Sequence, residues 1–595
     1  MNKIEKSAII HIPKSNMAYA YDEEKIHIIL RTKKDDLVKV ELWCTDPFDV
    51  TKKENLLNFK AFDMKKTGST TEYDYWFIEI KPKDKRLTYF FNLYGQCQDN
   101  ILFTEKGFFD IDILPKILQG GFGFTFPWMN PVDIFEAPRW IKDTIWYQIF
   151  PERFANGDQA INPPETLDWG STEPTPDNFF GGDLQGIINN LDHLADLGVN
   201  GLYLCPIFKA STNHKYDTVD YFEIDPNFGN KDKFRELVDK CHSYGIKIMI
   251  DGVFNHIGYK SPIWQDVVKN QENSKYKNWF FVKEFPVEAM DETSHQNNVK
   301  ELNYHTFSYN GYMPKFNTSN KEARDYLLEV GRYWVEEFGV DAWRLDVANE
   351  VDHKFWRSFR NKVKMNNSTY ILGEIWTEAN AWLKGDQFDG VMNYFLTSAI
   401  SDFIAQNSIS AETFKDRITN VLHIYPKNVL PGMFNCLDSH DTPRLLTQCG
   451  DRIEKFLLAY SFLFTCVGAP SIYYGDEIGM NGDNDPGCRK CMNWNKSEWN
   501  QQIFAHFKNL CNLRKTHPIL GSYGEMKFNF VSDHYIEYSK FDEQNRYVIF
   551  LNNSENSLIL TKPNLKGKTE LITNQLEQKD EIVLASNSLR IYKIQ

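Results

Sequence analysis

Four short stretches end in residues that could do chemistry: DGVFNH (251–256), WRLDVANE (343–350), GEIW (373–376) and LDSHD (437–441). Each runs into carboxylates, histidines or an arginine from an apolar, strand-like approach. Side chains in a strand alternate between faces. In GVDAWRLDVANE (339–350), Val340, Ala342, Arg344 and Asp346 therefore share one face, and Asp341, Trp343, Leu345 and Val347 share the other. Arg344 and Asp346 are neighbours on one surface. Taken singly, each stretch also has a structural reading: Asp251 as a scaffold carboxylate, Arg344 with Asp346 as an internal ion pair, Glu374 as a cap on the next helix. Acidic side chains are seldom buried without a partner, so several converging on one mouth favour acid–base or nucleophilic work.

The elements that must position these residues follow from the rhythm of the chain. Between about 140 and 510, apolar runs such as TIWYQIF, GLYLCPIF, IKIMIDG, DAWRLDV and TYILGEIW alternate with stretches of helical period, and GVMNY, MFNCLD and PSIYYGDE complete a set of eight. Eight βα units predict a (β/α)8 TIM barrel at 140–510 rather than an open doubly wound sheet. In such a barrel the site lies at the C-terminal ends of the strands, where the four stretches end. A helix-poor segment, about 257–315, predicts a small inserted domain after strand 3. Residues 1–122 carry short alternating runs (KIHIILRTK, LVKVELW, YDYWFIEI, RLTYFFNLYG) that predict an N-terminal β-sandwich. A Gly- and Pro-rich linker is expected at 123–139. After 511 the alternation returns in HYIEYSKF, RYVIFLNN and LRIYKI, predicting a C-terminal all-β domain to residue 595. The fold class is multidomain.

Composition narrows the partners. A net charge of −14 disfavours nucleic acid and anionic membrane, which call for a basic surface, and no run approaches the ~18 apolar residues of a membrane span. A neutral substrate fits better. The ten cysteines are scattered and expected to be reduced, small buried hydrophobes. Cys488 and Cys491 form a CxxC without the second pair a zinc site needs, and a plain loop is expected there. The opening MNKIEKSAIIHIPKS has a short apolar run and no small-residue cleavage site, so the protein is expected in the cytoplasm.

The four stretches, in this order and spacing, resemble the signature regions of the alpha-amylase family of glycoside hydrolases. With MPKFN (313–317), NHKYDT (213–218) and the N-terminal β-domain, the chain resembles the branch containing neopullulanase, cyclomaltodextrinase and maltogenic amylase. That resemblance implies Asp346 as nucleophile, Glu374 as general acid/base and Asp441 as a third, transition-state-stabilising carboxylate. Cleaving an acetal with retention needs one ionised carboxylate and one protonated carboxyl about 5–5.5 Å apart. Arg344 is expected to keep Asp346 ionised. Leu372, Ile375 and Trp376, with the charges of Asp346 and Asp441, are expected to keep Glu374 protonated. The resemblance further implies sugar contacts from His256, His440, His214, Tyr216 and Trp376, and from Asp485 with Arg489.

FANGDQAINPP and FFGGDLQG resemble the branch's calcium loop, which implies a structural Ca2+ held by Asn156, Asp158, Asn162 and Asp183 with the carbonyls of Ile161 and Gly181. The expected activity is retaining hydrolysis of α-1,4 links in cyclodextrins, pullulan and maltodextrins, with transglycosylation, by a homodimer whose N-terminal sandwich (1–122) the resemblance implies to be glycan-binding or dimerising. The alternative is a non-catalytic glycan-binding or partner-binding protein on the same scaffold. Glu350, just past the fourth strand, is left open between orienting its loop, touching substrate and starting a helix.

Overall fold

The computed structural model describes residues 4–51, 55–97, 99–288, 290, 302–364 and 368–595. At its centre stand eight parallel strands: β1 (Trp146–Ile149), β2 (Gly201–Leu204), β3 (Lys247–Gly252), β4 (Ala342–Leu345), β5 (Tyr370–Gly373), β6 (Gly390–Val391), β7 (Phe434–Asn435) and β8 (Ala469–Tyr473). Their order is β6-β5-β4-β3-β2-β1-β8-β7. A parallel bridge between Met392 and Phe434 joins the two ends, so the sheet closes into the expected barrel.

Period-2 patterning puts one apolar layer inside this barrel. Trp146, Tyr203, Met249, Ala342, Tyr370, Leu372, Met392, Phe434 and Ala469 form a single buried cluster drawn from all eight strands or their ends. Two residues further along the same strand faces come Gln148, Cys205, Asp251, Arg344 and Glu374. The lumen therefore changes from apolar to polar near the C-terminal end. The opposite faces, including Trp343 and Leu345, join the larger core shared with the surrounding helices.

The helix Lys321–Phe338 shows how that core aims the site. Asn320 caps it by accepting from the N–H groups of Glu322 and Ala323, and Gly339 ends it at φ 73, a left-handed value that L side chains rarely adopt. Its buried stripe, Ala323, Leu327, Val330, Gly331, Trp334 and Phe338, follows helical spacing and lies against the outer face of the barrel. The chain then turns directly into β4, the strand that carries Arg344.

The flanking domains are antiparallel. The N-terminal sandwich has one sheet of four strands and one of six. Its last strand, Phe124–Phe126, pairs with Leu87–Gly95, so the sandwich reaches into the 123–139 stretch read as linker. Phe124 and Phe126 are buried in the sandwich core, which outweighs the loop-like glycines before them. The boundary expected at 510/511 likewise falls inside a helix, Gln501–Thr516, and the C-terminal strands begin at Glu525. Both β-domains rest on one barrel helix, Ala411–Ile424: Thr71 donates to Asp416, Tyr75 to Asn420, and strand Glu525–Ser532 packs alongside. Of the insertion, residues 289 and 291–301 lie outside the described residues. Its Trp264, Trp279, Phe280 and Tyr304 share the barrel's outer core.

Candidate active site

Arg344 is wholly buried and is the hub of the polar layer. In β4 it stands opposite Asp251 of β3 and Leu372 of β5, so the next inward residue of β5 is Glu374. One terminal nitrogen lies 3.0 Å from Asp251 Oδ2 and 2.8 Å from Asp346 Oδ1, and the other lies 2.8 Å from Glu374 Oε1. Three carboxyl groups share one guanidinium. The contact with Glu374 was not foreseen, because it depends on the register between β4 and β5.

The chain leaves β4 by a strained turn. Val347, directly after Asp346, has φ 45 and ψ 44, a left-handed conformation that is an outlier for a β-branched residue. The turn aims the Val347 N–H at Glu374 Oε2, 2.9 Å away. Backbone strain of this kind gathers at functional sites. The apolar jacket expected around Glu374 is only partly present. Leu372 belongs to the layer below, Ile375 faces the outer core, and Trp376 is half exposed with its indole N–H 3.3 Å from Glu374 Oε1. Trp376 stacks on Tyr394 at 3.6 Å.

The remaining expected residues gather around the same mouth. His214, Tyr216, His256, Asp346, Glu374, Trp376, Asp441, Asp485 and Arg489 line a cavity of about 480 Å3, with Arg344 and His440 forming its base. His440 lies 2.6 Å from the Tyr216 hydroxyl, 2.8 Å from Gln148 and 3.2 Å from Asp441. Arg489 pairs with Asp485 at 2.8 Å, approaches Asp441 at 3.5 Å and donates to the His440 carbonyl. The Tyr216 hydroxyl also donates to Asp251.

His214 and Tyr216 flank Lys215, which is buried at φ 63 and reaches away from the cavity to Asp225, 2.9 Å off and equally buried. That ion pair pegs the loop from behind.

Sequence reasoning missed Phe307, Met313 and Asn349, which also line the cavity. Phe307 stacks on His256 at 5.2 Å, but it comes from the insertion, where no strand period marks it. Gln148 was also missed, although its place two residues beyond Trp146 on β1 was a usable signal. Glu350 lies at the rim in a short turn and meets Lys315 at 3.4 Å, so it orients its loop while facing the cavity.

Burial dominates the electrostatics. It lowers His256 to about 3, His214 to about 4 and His440 well below its ordinary value, so the imidazoles are neutral and can both donate and accept. Burial raises Asp251 to about 6 and pushes Asp346 well above the usual carboxylate range; Arg344 pulls against both. Arg344, expected to keep Asp346 ionised, works against desolvation and the Glu374 charge. Asp251 and Asp346 share that cation, so a change of charge on one is felt by the other. Burial also raises Asp441, which Arg344 and Arg489 counter.

At the proposed calcium loop, Gly181 sits at φ 81. A Cβ there would lie 2.4 Å from Asn156 Nδ2 and 2.5 Å from Asn162 Oδ1, so only glycine lets these groups converge. Asn156 Oδ1 is buried without a partner. The Asp183 carboxylate accepts from the N–H groups of Gly157, Asp158 and Gly186; burial pushes its pKa up against these bonds, and nearby Asp158 adds to the rise. Among the described residues no cluster of three or more His, Cys, Asp or Glu could hold a metal. An orphaned amide oxygen beside two mutually repelling carboxylates nevertheless fits a hard, oxygen-loving cation.

Comparison with known proteins agrees with this geometry. Residues 148–523 match the alpha amylase catalytic domain and residues 3–130 the alpha amylase N-terminal ig-like domain. The chain is 48% identical over 557 residues to a maltogenic alpha-amylase of Bacillus acidopullulyticus, covering 93% of this chain and 92% of that one. It is 48% identical over 567 residues to a cyclomaltodextrinase of Geobacillus thermopakistaniensis, covering 95% and 94%. A solved cyclomaltodextrinase superposes with a TM-score of 0.91 at 42% identity, covering 99% of each chain. The chain belongs to the alpha-amylase family of glycoside hydrolases.

Proposed function

We propose that the protein is a retaining hydrolase of α-1,4-glucosidic bonds in cyclodextrins, pullulan and maltodextrins. Asp346 attacks the anomeric carbon while Glu374 gives its proton to the departing glucosidic oxygen, leaving a covalent glycosyl-enzyme. Glu374 then takes a proton from water, whose oxygen displaces Asp346; a sugar hydroxyl in place of water gives transglycosylation. Asp441, with neutral His440 and His256, holds the sugar being cleaved, while His214, Tyr216, Asp485 and Arg489 complete its pocket. Trp376 offers a ring face to the sugar on the leaving side. The observation that carries this reading is the Arg344 guanidinium, 2.8 Å from both Asp346 and Glu374, which keeps the two carboxyls paired at the mouth. A non-catalytic glycan-binding protein would tolerate gaps in the set Asp346, Glu374 and Asp441, and all three are present.

Product analysis on β-cyclodextrin, pullulan and starch in parallel tests the proposal, with Glu374→Gln as the comparison. Wild-type activity on the first two, and a variant slowed about 10²–10⁴-fold on unactivated sugars, is expected; equal turnover by the variant removes Glu374 from the mechanism. A structural Ca2+ at Asn156, Asp158, Asn162, Asp183 and the Ile161 and Gly181 carbonyls is part of the proposal. It is supported by the unpartnered Asn156 oxygen and would tie the first barrel loop in place. A homodimer is proposed from the resemblance. A cytoplasmic setting is supported by ten cysteines that are all unpaired; no helix among the described residues is long and apolar enough to cross a membrane.

A further inference from the structure

Gln148 stands wholly buried on β1, paired with Tyr203 of β2 on one side and Tyr473 of β8 on the other, and the catalytic steps give it no task. Its Nε2 lies 2.8 Å from His440 Nδ1 and 3.5 Å from Cys205 Sγ, while its Oε1 is buried without a partner. An orphaned amide oxygen inside a barrel is costly, so the amide is held this way round by something worth more. The proton on His440 supplies the reason.

The far side of the ring locates that proton. His440 Nε2 lies 2.6 Å from the Tyr216 hydroxyl and 3.2 Å from Asp441 Oδ1. Tyr216 has one hydroxyl hydrogen and gives it to Asp251 Oδ2, 2.9 Å away, a carboxylate that also accepts from Tyr203 and Arg344. Neither neighbour of Nε2 has a hydrogen to offer, so Nε2 carries one and donates. Burial and the charges of Arg489 and Arg344 keep the ring neutral. A neutral imidazole has a single N–H, which leaves Nδ1 bare and in need of a donor. The Gln148 amide is that donor. In the opposite tautomer a ring lone pair would face Asp441 Oδ1, and the Nδ1–H would point at the N–H of the amide.

We propose that Gln148 is a positioning residue of the catalytic centre: by donating to Nδ1 it locks His440 in the Nε2–H tautomer, and that N–H in turn holds Asp441 at the sugar pocket. The inference deepens the glycosidase reading and rests on it. Among the described residues Gln148 makes no hydrogen bond to Asp346, Glu374 or Asp441, so it acts through the imidazole. Asp441 is the carboxylate assigned to the transition state, and a loss of its placement falls on kcat rather than on KM.

Nitrogen-15 spectra of histidine-labelled protein, with the His440 signals assigned by their loss in His440→Leu, read the tautomer directly. A protonated Nε2 and a bare Nδ1 are expected in the wild type at neutral pH. A mixture of the two forms is expected in Gln148→Met, which keeps the length of the side chain and removes the donor. A protonated Nδ1 in the wild type overturns the proposal, and this measurement stands even where Gln148→Met fails to fold. Kinetics on β-cyclodextrin give the second readout. Gln148→Met is expected to lower kcat about tenfold with KM within about twofold, the scale of one buried hydrogen bond. In a His440→Leu background the same substitution is expected to cost less than about twofold, because the ring it acts through is gone. An equal loss in both backgrounds makes Gln148 a packing residue and overturns the positioning role. A wild-type chain inert on every glucan sinks the catalytic reading instead, and the wild-type spectrum still decides the tautomer.

Discussion

Replacing Arg344 with glutamine removes the one cation from a buried group of three carboxyls. Its terminal nitrogens lie 2.8 Å from Asp346 and 2.8 Å from Glu374. With charge centres about 4 Å apart and an effective dielectric near 20, each pairing contributes about 4 kcal/mol. Burial already drives Asp346 upward and the Glu374 charge pushes the same way, with Arg344 opposing both. Without the arginine, burial and the Glu374 charge hold the Asp346 carboxyl higher still. The nucleophile works only when ionised, and its ionised fraction falls tenfold for each unit that the pH lies below its pKa. The acid limb of the kcat/KM profile therefore moves to higher pH, and the loss of one pairing of about 4 kcal/mol lowers the rate on that limb about 10³-fold at fixed pH. Reducing-sugar release from β-cyclodextrin across the pH range measures it. Arg344→Lys keeps a charge but cannot reach three carboxyls at once, so its acid limb should stay within about one unit of wild type while kcat drops. A uniform loss of rate in the glutamine variant, with the acid limb unmoved, would refute the electrostatic role and leave Arg344 as scaffold only.

Other perturbations probe separate parts of the site. A chelator should lower the melting temperature of the wild-type chain, added Ca2+ should restore it, and Asn156→Leu should abolish the difference; a melting temperature indifferent to chelator rules out the calcium loop. Val347→Gly relieves a left-handed conformation that costs an L residue about 1–2 kcal/mol. The variant should be at least as stable in urea yet slower in kcat, because the Glu374 anchor loosens; a clear loss of stability contradicts the strain argument. Lys215→Met leaves Asp225 charged and buried without its partner and should cost about 3–5 kcal/mol in urea unfolding. Adding Asp225→Asn should recover part of that loss, and a loss under about 1 kcal/mol would show that the peg carries little.

The face shared by Arg344 and Asp346 was legible because strand geometry is periodic. Arg344 and Asp346 fall on one side of GVDAWRLDVANE whatever the surrounding fold, and the count of βα units then turns that side inward. The contact from Arg344 to Glu374 was not legible, since it requires Arg344 to stand opposite Leu372, a register that composition does not encode. The left-handed turn at Val347 was equally hidden. Local preference argues against such a backbone for valine, and only the surrounding packing imposes it. Phe307 escaped because its neighbours in the insertion follow no period, and Gln148 because a neutral amide in an apolar strand drew no notice beside the carboxylates. The sandwich strand at Phe124–Phe126 was taken for linker because glycines and prolines surround it, although its two buried phenylalanines belong to the sandwich core.

The barrel's closing contact has a mechanical consequence. β6 and β7 have two residues each, and a single bridge between Met392 and Phe434 joins them, so this is the seam with the least backbone pairing. The helix Ala411–Ile424 belongs to the chain segment that connects β6 to β7, and the N-terminal sandwich and the C-terminal sheet both lean on that helix. The two β-domains act as clamps on the weakest stave of the cask. Asp441 follows β7 on one side of that seam, while Glu374, Asp346 and Arg344 are carried by β5 and β4 on the other. The width of the catalytic mouth is therefore held in part by domains that contribute none of its catalytic carboxylates.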